Sequence, residues 1–435
     1  MVLMWMVLWG SAIQANSDNV IMRLHGSNTI GAKLAPKLVE AWLYKQGYTH
    51  VHKRKIAEEE NIILANDKNG REKIVEIKSH GSSTGFKSLF KGQADIGLSS
   101  RPIKEKENNR LKNFGEMTRK DAEFVIGLDG IAVILNQDNP ISALDKNTIK
   151  KIFTGEINRW DQVNRNLSGK IHIYARDNKS GTFDTFKALV MGKKSSLVKG
   201  AKRYESNAKL SDDVSRDLLG IGFVGFPYIR NSKAIAVSEQ GTEAKLPQAF
   251  DVATEDYAIA RRLYMYVPEL HANKNVKSFI EFCLSEKGQN TVEMTGFIAQ
   301  NIQAKAVKAI DGFPQEYLNF TKQGERLSLN FRFLKGSVKL DNKGQRDLQR
   351  LVKYLEKREN RGRRVMLFGF AESSESSPVF SLDLSTFRVD RVSDLLVQNG
   401  VDPVRVRSYG DAIPVASNED PGGRNKNRRV EVWLQ

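Results

Sequence analysis

Three short loops of the sequence pair hydroxyl side chains with glycine, a combination that can bind an oxyanion. They are Gly26–Thr29 (GSNT), Gly81–Thr84 (GSST) and Ser180–Thr182 (SGT). Each loop follows a strand-like run and opens a helix-like run, so it should offer unpaired backbone N–H groups and partial positive charge. Glycine lets an anion approach the backbone, and the hydroxyls add hydrogen-bond donors. One such loop is an ordinary helix cap, but three in one domain favour a shared oxyanion site.

Arg176 stands four residues before Ser180, in the stretch ARDNKSGTFDTFKAL. A helix cap needs no such charge, whereas a guanidinium can hold a tetrahedral oxyanion through two parallel hydrogen bonds. The second loop continues as GSSTGFKS. This stretch lacks the GxxxxGK[ST] spacing of a nucleotide-binding P-loop, so that kind of site is excluded. The pattern therefore predicts a site for a small oxyanion.

These loops need strands and helices to position them, and residues 20–304 supply both in alternation. Such alternation predicts an α/β domain with a mostly parallel sheet. The strand-like runs are VIMRLHG (20–26), VEIKSHG (75–81), ADIGLSS (94–100), VIGLDGIAVILN (125–136), KIHIY (170–174) and GIGFVGFPYI (220–229). Residues 305–326 carry Gly312-Phe313-Pro314 and are predicted to be a linker. Residues 327–435 predict a smaller α+β sandwich in the order strand, helix, strand, helix, strand, strand.

Charge and the apolar start of the chain limit the classes of function. The net charge of +17 favours an anionic partner, but zinc-finger, RRM and basic-zipper spacings are missing, so nucleic acid is not expected. The first nine residues are apolar and small polar residues follow, which predicts a signal peptide over residues 1–15 with cleavage after Ala15. This run is too short to span a bilayer, and no transmembrane segment is expected. It lacks preceding positive charges, which suggests a start codon further upstream.

Seven segments follow one another in the order of a known family: HGSNTIGAKL, IKSHGSSTGF, ADIGLSSRP, VIGLDGIAVILN, FTGEINRWDQ, ARDNKSGTFDTF and GIGFVGF. Through them, residues 20–304 resemble the PstS-like periplasmic phosphate-binding proteins of ABC transporters. The resemblance implies a two-lobed α/β fold of the periplasmic-binding-protein type, with phosphate clasped between the lobes. An ABC permease is a further partner that it implies.

The resemblance also implies which residues bind phosphate, chiefly through its most specific motif, R-x-x-x-S-G-T. The implied residues are Ser27, Thr29 and Ile30 of the first loop, Ser83 or its register alternative Ser82 of the second, Ser100, and Arg176, Ser180, Gly181 and Thr182 of the motif.

Ser100 marks a departure from the family. Many members have at this position an aspartate that accepts the proton of hydrogen phosphate. A serine can still accept a hydrogen bond, but it lacks the charge that rejects fully ionised anions. Arg101 follows it. This arginine either adds positive charge to the site or is solvated.

The C-terminal unit carries its own motifs: FRFLKGSVKLDNKGQRDLQRLVKYL, VMLFGFAES, LSTFRVDRVSDLLVQNGV, RVRSYGDAIPVASN and GRNKNRRVEVWL. In these segments, most distinctively L-S-x-x-R and N-R-R-V-E, it resembles the OmpA-like peptidoglycan-binding domain. The resemblance implies that a carboxylate and an arginine grip the zwitterionic end of the diaminopimelate stem peptide. The arginine is Arg388, and the carboxylate position holds Glu372, one residue further from it than in the family. Arg428 and Arg429 are either wall contacts or surface charge.

Together these features predict an exported, non-enzymatic solute-binding protein of a Gram-negative periplasm, associated with peptidoglycan or the outer membrane. An envelope scaffold or adhesin with a degenerate anion site is one alternative. A secreted phosphatase-type enzyme is another, although no Gly-x-Ser-x-Gly elbow or activating base accompanies the loop serines. His50 and His52 lack carboxylate partners at metal spacing, so neither a metal nor another cofactor is expected.

Overall fold

The computed structural model describes residues 19–192, 194–239, 242–269, 273–307, 312–334, 336–373, 378–419 and 421–435. The predicted signal peptide lies outside the described residues. Within them, no helix is both long and apolar enough to cross a bilayer.

Strands and helices alternate through both parts of the chain. The described strands are β1 (Val20–Gly26), β2 (Thr49–Ala57), β3 (Glu60–Asn66), β4 (Glu72–Lys78), β5 (Ile96–Ser99), β6 (Glu123–Leu135), β7 (Ala143–Asp145), β8 (His172–Arg176), β9 (Lys202–Tyr204), β10 (Gly220–Gly225), β11 (Lys233–Ala234), β12 (Ala236–Ser238), β13 (Ala260–Tyr266), β14 (Ala304–Lys305), β15 (Glu325–Arg332), β16 (Val365–Phe370), β17 (Arg405–Ser408) and β18 (Arg429–Leu434). The described α-helices are α1 (Ala35–Lys45), α2 (Ser82–Phe90), α3 (Glu105–Arg110), α4 (Lys146–Thr154), α5 (Gly181–Phe186), α6 (Asn207–Ser215), α7 (Ala249–Ala253), α8 (Lys274–Leu284), α9 (Glu286–Met294), α10 (Gln315–Thr321), α11 (Asn342–Glu356), α12 (Pro378–Val397) and α13 (Pro421–Asn427).

Eleven of the strands before residue 270 form one sheet in the order β2-β3-β4-β1-β5-β13-β6-β10-β8-β9, with β11 also paired to β6, while β7 and β12 pair in a separate two-stranded sheet. The long strand β6 runs through both halves of it. Residues 123–130 of β6 pair antiparallel with β13, and residues 131–135 pair antiparallel with β10. The sheet therefore divides into a first lobe around β1–β5 and a second lobe around β7–β12, with β6 and β13 as the hinge.

The sheet is mixed, so the prediction of mostly parallel strands is wrong. Parallel pairing occurs for β1 with β4 and β5, and for β8 with β9 and β10. The β2–β3 hairpin and all pairs of β6 and β13 are antiparallel. Strand β2 is not among the strand-like runs named above, because it is a largely exposed edge strand with the basic run HKRK, which lacks the apolar alternation of a half-buried strand.

Hydrophobic cores hold the helices on this sheet. Trp42 of α1 packs edge-on against Phe279 of α8 in the first lobe. Phe186 of α5 stacks on Phe223 of β10 in the second lobe, with ring centroids 3.9 Å apart. Cys283 is fully buried in the first core, and burial raises the pKa of its thiol. The helices that begin at the three hydroxyl loops are thereby fixed by packing rather than by the loops themselves.

The C-terminal unit is built on the sheet β14-β15-β18-β16-β17. Helices α11 and α12 contribute Leu351 and Val392 to the core on one side of it. Helix α10 lies within the range predicted as a linker, yet its buried Tyr317 packs edge-on against Phe368 and Trp433. Strand β14 leaves the first unit and pairs with β15. The segment between the units is thus largely built into the second.

The C-terminal unit is docked on the hinge. It contacts residues 254–262, called here the hinge segment, which run from the end of α7 into β13. The polar contacts to this segment include Arg326 to Asp256 (2.8 Å), Asn330 to Thr254 (2.8 Å), Asp341 to Arg262 (2.7 Å) and Lys426 to Ala258 (2.5 Å). Asn342 also donates to the Thr118 carbonyl of the first lobe at 2.8 Å, and the Ser417 amide donates to Glu239 of the second lobe at 2.6 Å. One unit therefore contacts the hinge and both lobes.

Candidate anion-binding site

The first loop turns sharply at the end of β1. Gly26 has a φ of +140°, and a Cβ there would lie 2.1 Å from the Leu98 carbonyl oxygen, so only glycine fits. The Ser27 amide donates to that same carbonyl at 2.9 Å. The Ser27 hydroxyl is buried without a hydrogen-bond partner among the described residues. The Ile30 side chain lies in the hydrophobic core, so a contribution to the site would come from its backbone.

The second loop lies beside the first, because the Gly81 amide donates to the Gly26 carbonyl at 2.7 Å. The Ser82 hydroxyl accepts a hydrogen bond from the Ser100 amide at 3.1 Å. A Cβ on Gly181 would lie 2.1 Å from Ser82 Oγ and 2.7 Å from Ser100 Oγ. Residues 82, 100 and 181 therefore meet across the two lobes.

The third loop caps α5 and also reaches the first loop. The Ser180 hydroxyl accepts from the Thr182 and Phe183 amides at 3.2 and 3.3 Å, which is the geometry of a helix N-cap. Thr182 Oγ1 lies 3.0 Å from Thr29 Oγ1 of the opposite lobe. The predicted convergence of the three loops is what the structure shows, and the buried hydroxyls line both sides of a closed cleft.

Arg176, at the end of β8, is the buried cation of this cleft. Its Nε donates to the Tyr204 carbonyl at 3.1 Å and its Nη2 donates to the Glu205 carbonyl. Its Nη1 is buried and has no hydrogen-bond partner within the described residues, and no described carboxylate lies within ion-pair distance. Burial, together with the neighbouring Arg261 guanidinium, lowers the pKa of Arg176 to about 10.

A second arginine reaches the loops from the hinge. Arg261 of β13 forms a buried ion pair with Asp129 of β6 at 2.5 Å. Its Nη1 donates to Thr182 Oγ1 at 2.8 Å, and its Nη2 donates to Thr29 Oγ1 at 3.3 Å. Burial raises the pKa of Asp129, and the Arg261 charge opposes that shift. The pair is therefore neutral overall and holds one threonine from each lobe.

Arg101 is buried and paired, so neither of the two alternatives left by the sequence, added positive charge at the site or a solvated side chain, describes it. It pairs with Glu107 at 2.7 Å and with Asp184 of the second lobe at 2.8 Å. Its Nη2 donates to the Ser83 hydroxyl at 3.1 Å. Two carboxylates compensate its charge, so it orients Ser83 and links the lobes without adding net charge.

In the C-terminal unit, Glu372 and Arg388 are both buried. The Glu372 carboxylate is bound by Arg428 at 2.5 Å and by Arg424 at 3.1 Å. Arg388 lies over the Phe333 ring, 5.6 Å from its centroid. Arg428 and Arg429 are buried too, and Arg429 pairs with Glu431 at 2.8 Å, so neither is surface charge.

Comparison with known proteins gives the family of each of these two units. The model of the PBP superfamily domain matches residues 55–287, more than half of the chain. The chain belongs to the PBP superfamily. The model of the OmpA family matches residues 332–428, so the C-terminal unit is an OmpA domain.

Individual relatives show which members of the PBP superfamily the N-terminal unit is similar to. The phosphate-binding protein PstS of Staphylococcus aureus (strain bovine RF122 / ET3-1) is 32% identical over 227 residues, covering 50% of this chain and 67% of that protein. The solved structure of a putative phosphate ABC transporter substrate-binding protein with bound phosphate, from Clostridium perfringens, is 27% identical with a TM-score of 0.51, covering 65% of this chain and 99% of that chain. These relatives are solute receptors rather than enzymes. The predictions of a PstS-like domain, an OmpA-like domain and a non-enzymatic protein are confirmed.

Two residues of the PstS-like site were missed in the sequence analysis. Asp129 lies inside the apolar run VIGLDGIAVILN, and Arg261 is the second residue of the largely buried strand β13. A charged residue that is buried inside such a strand must be paired, so each was a detectable signal. Their pairing could not be read from the chain, because 132 positions separate them.

Proposed function

We propose that the PstS-like domain binds phosphate, or a similar tetrahedral oxyanion, between its two lobes. The observation that carries the proposal is the buried Arg176 Nη1, which has no hydrogen-bond partner within the described structure. A buried charge that lacks a counterion is costly, and an anion would supply both the counterion and the hydrogen bond.

The surroundings of Arg176 suit an oxyanion. Hydroxyls and backbone amides from both lobes provide neutral donors, and the Arg261–Asp129 pair adds no net charge. One uncompensated guanidinium among neutral dipoles attracts an anion without gathering several cations in one place. Because Thr29 and Thr182 come from opposite lobes, a ligand held between them would also stabilise lobe closure.

Isothermal titration of the full chain with phosphate, arsenate and sulfate tests this proposal, after endogenous ligand has been removed by reversible unfolding. Arg176→Ala should weaken phosphate binding by about a hundredfold or more. Arg165→Ala, which removes an exposed arginine of the second lobe, is the matched control and should bind as the wild type does. Absence of binding for all three anions would overturn the proposal.

We further propose that the OmpA domain tethers the chain to peptidoglycan in the periplasm, with Arg388 as a ligand for the stem peptide. The family assignment and the position of Arg388 in the L-S-x-x-R motif support this role. The wild type should sediment with purified sacculi, and Arg388→Ala should not. Arg391→Ala removes an exposed arginine of the same helix and should sediment normally. Normal sedimentation of a folded Arg388→Ala protein would exclude this residue from wall binding.

A further inference from the structure

The OmpA domain contacts three separate parts of the PstS-like domain: the hinge segment, the first lobe and the second lobe. On the hinge segment, Arg262 donates to the Asp341 carboxylate of the OmpA domain at 2.7 Å. Arg262 is next in sequence to Arg261, which donates to Thr29 of one lobe and Thr182 of the other. Two neighbouring residues of β13 thus connect the anion cleft to the OmpA domain.

The first lobe is held by helix α11 of the OmpA domain. Asn342, the first residue of this helix, donates to the Thr118 carbonyl at 2.8 Å and to the Glu123 carboxylate at 3.1 Å. Two turns further along, Arg350 donates to the side chain of Gln300 at 2.9 Å, and Gln300 is buried. The first lobe is therefore fixed to a helix that is packed into the OmpA core.

The second lobe is held at Glu239, directly after β12. One oxygen of this buried carboxylate accepts from the Ser417 amide of the OmpA domain at 2.6 Å, and the other binds Lys146 of α4 at 2.7 Å. Ser417 lies in a loop, but the Asn427 side chain accepts from the Ala416 amide at 3.1 Å and donates to its carbonyl at 2.8 Å. These bonds fix the loop, so the second lobe also contacts a rigid part of the OmpA domain.

A rigid unit that contacts both lobes fits one relative position of those lobes. The position here is the closed one, because Thr29 Oγ1 lies 3.0 Å from Thr182 Oγ1 of the opposite lobe. A rotation that separates the lobes has to break the contacts at Asn342 or the contact at Glu239. The open state therefore lacks contacts with the OmpA domain that the closed state makes.

We propose that the OmpA domain clamps the anion site in its closed state, with Asn342 and Glu239 as positioning residues that act through lobe closure. The proposal rests on the proposed function of the PstS-like domain. Both residues lie outside the three hydroxyl loops, so their effect on a bound anion comes from the relative position of the lobes. Because linkage between two sites is reciprocal, a bound anion in turn strengthens docking of the OmpA domain.

Isothermal titration of the full chain with phosphate tests the effect of docking on the anion site. Asn342→Ala and Glu239→Ala should each weaken phosphate binding about fivefold or more, because each removes a contact made only in the closed state. Gln349→Ala, an exposed amide of the same helix, and Glu156→Ala, an exposed carboxylate of the second lobe, are the matched controls and should bind as the wild type does. Alanine favours helices, so Asn342→Ala should fold even if Glu239→Ala does not.

Amide hydrogen exchange tests the reverse effect, of the anion on docking. Saturating phosphate should slow exchange severalfold in the wild-type peptide that contains Ser417, and much less in Asn342→Ala. A purely local structural role of these residues would leave the exchange independent of phosphate.

Unchanged or tighter phosphate binding by both folded variants would overturn the clamp and leave anion binding intact. Exchange at Ser417 that does not respond to phosphate in a wild type that binds it would do the same. A wild type that binds no phosphate would overturn the proposed function itself.

Discussion

Two arginines at the site serve different purposes although they contact the same cleft. The charge of Arg261 is neutralised by Asp129, and its guanidinium donates hydrogen bonds to Thr29 and Thr182. Arg176 is held by backbone carbonyls, and no carboxylate of the described residues lies within ion-pair distance of it. The first therefore organises the loops, and the second supplies the charge that an anion would meet.

At the residue scale, Asp129→Asn should leave Arg261 buried and unpaired. Breaking a buried pair from one side costs about 3 kcal/mol or more, so the free energy of unfolding in urea should fall by about that amount. Saturating phosphate should recover part of the loss, because it binds only the folded state. Asp161→Asn, in an exposed pair with Arg159, should leave the unfolding midpoint unchanged. A neutral outcome for Asp129→Asn would show that the pair is not needed for the fold.

At the scale of elements, α2 must approach β1 closely to place the second loop. A Cβ on Gly85 would lie 2.7 Å from the His25 carbonyl oxygen, so the helix has no room for a side chain there.

Gly85→Ala should therefore destabilise the protein although alanine favours helices by about 1 kcal/mol over glycine. It should also weaken phosphate binding, because α2 begins with Ser82 and Ser83. Denaturation and titration measure the two effects. Ser88→Ala on the half-exposed side of α2 should change neither. Unaltered phosphate binding by Gly85→Ala would mean that the position of α2 does not control the site.

His80 joins three elements across the cleft. Its ring nitrogens lie 2.9 Å from Glu60 of the hairpin and 2.9 Å from Glu205 of the second lobe. Partial burial lowers the pKa of His80, but the hydrogen bonds to Glu60 and Glu205 outweigh it, so the pKa is raised overall.

A raised pKa in the folded state means that protonated His80 stabilises the fold. This contribution should be complete below about pH 6.5 and lost as the pH rises through the raised pKa. In thermal unfolding from pH 5.5 to 9, the loss of stability of His80→Gln relative to the wild type should therefore be larger at acid pH than at alkaline pH. His50→Gln, on the exposed strand β2, should follow the wild-type profile. An equal loss of stability in His80→Gln at every pH would contradict the prediction that protonated His80 stabilises the fold.

Much of the fold and of the site could be predicted from the sequence. The features that could not be predicted all depend on tertiary contacts. The apolar strands β1, β6, β8 and β10, and the Ser180 helix cap, follow from local patterns. The exposed strand β2 and the packed helix α10 do not, since tertiary pairing decides their state. The pairing of Arg261 with Asp129 depends on which strands become neighbours, and the periodicity of one sequence does not show which strands pair.

At the scale of the whole molecule, the OmpA domain and the hinge share buried ion pairs. Asp256 of the hinge segment contacts Arg326 and Arg332 of that domain. Burial raises the pKa of Asp256, but these arginines and Arg429 outweigh it and bring the pKa to about 2. A depressed pKa means that the contribution is present above about pH 4 and lost as the pH falls toward 2.

Glu255 pairs with Arg332 of the OmpA domain at 3.3 Å, so Asp256→Asn combined with Glu255→Gln should separate the unfolding of the two domains. Calorimetry of the wild type should give one cooperative transition, and the double variant should give two, because the docked surface would lose its charge pairing. Asp251→Asn is the matched control, since Asp251 pairs with Lys245 inside the second lobe at 2.9 Å. A single transition for the double variant would show that the remaining interdomain contacts suffice to couple the domains.

The pairing of β14 with β15 has a consequence for how such a receptor works in an envelope. Because this strand pair lies in the connection between the two domains, the described part of that connection is short. If the OmpA domain binds peptidoglycan as proposed, it would hold the PstS-like domain at a short distance from the wall.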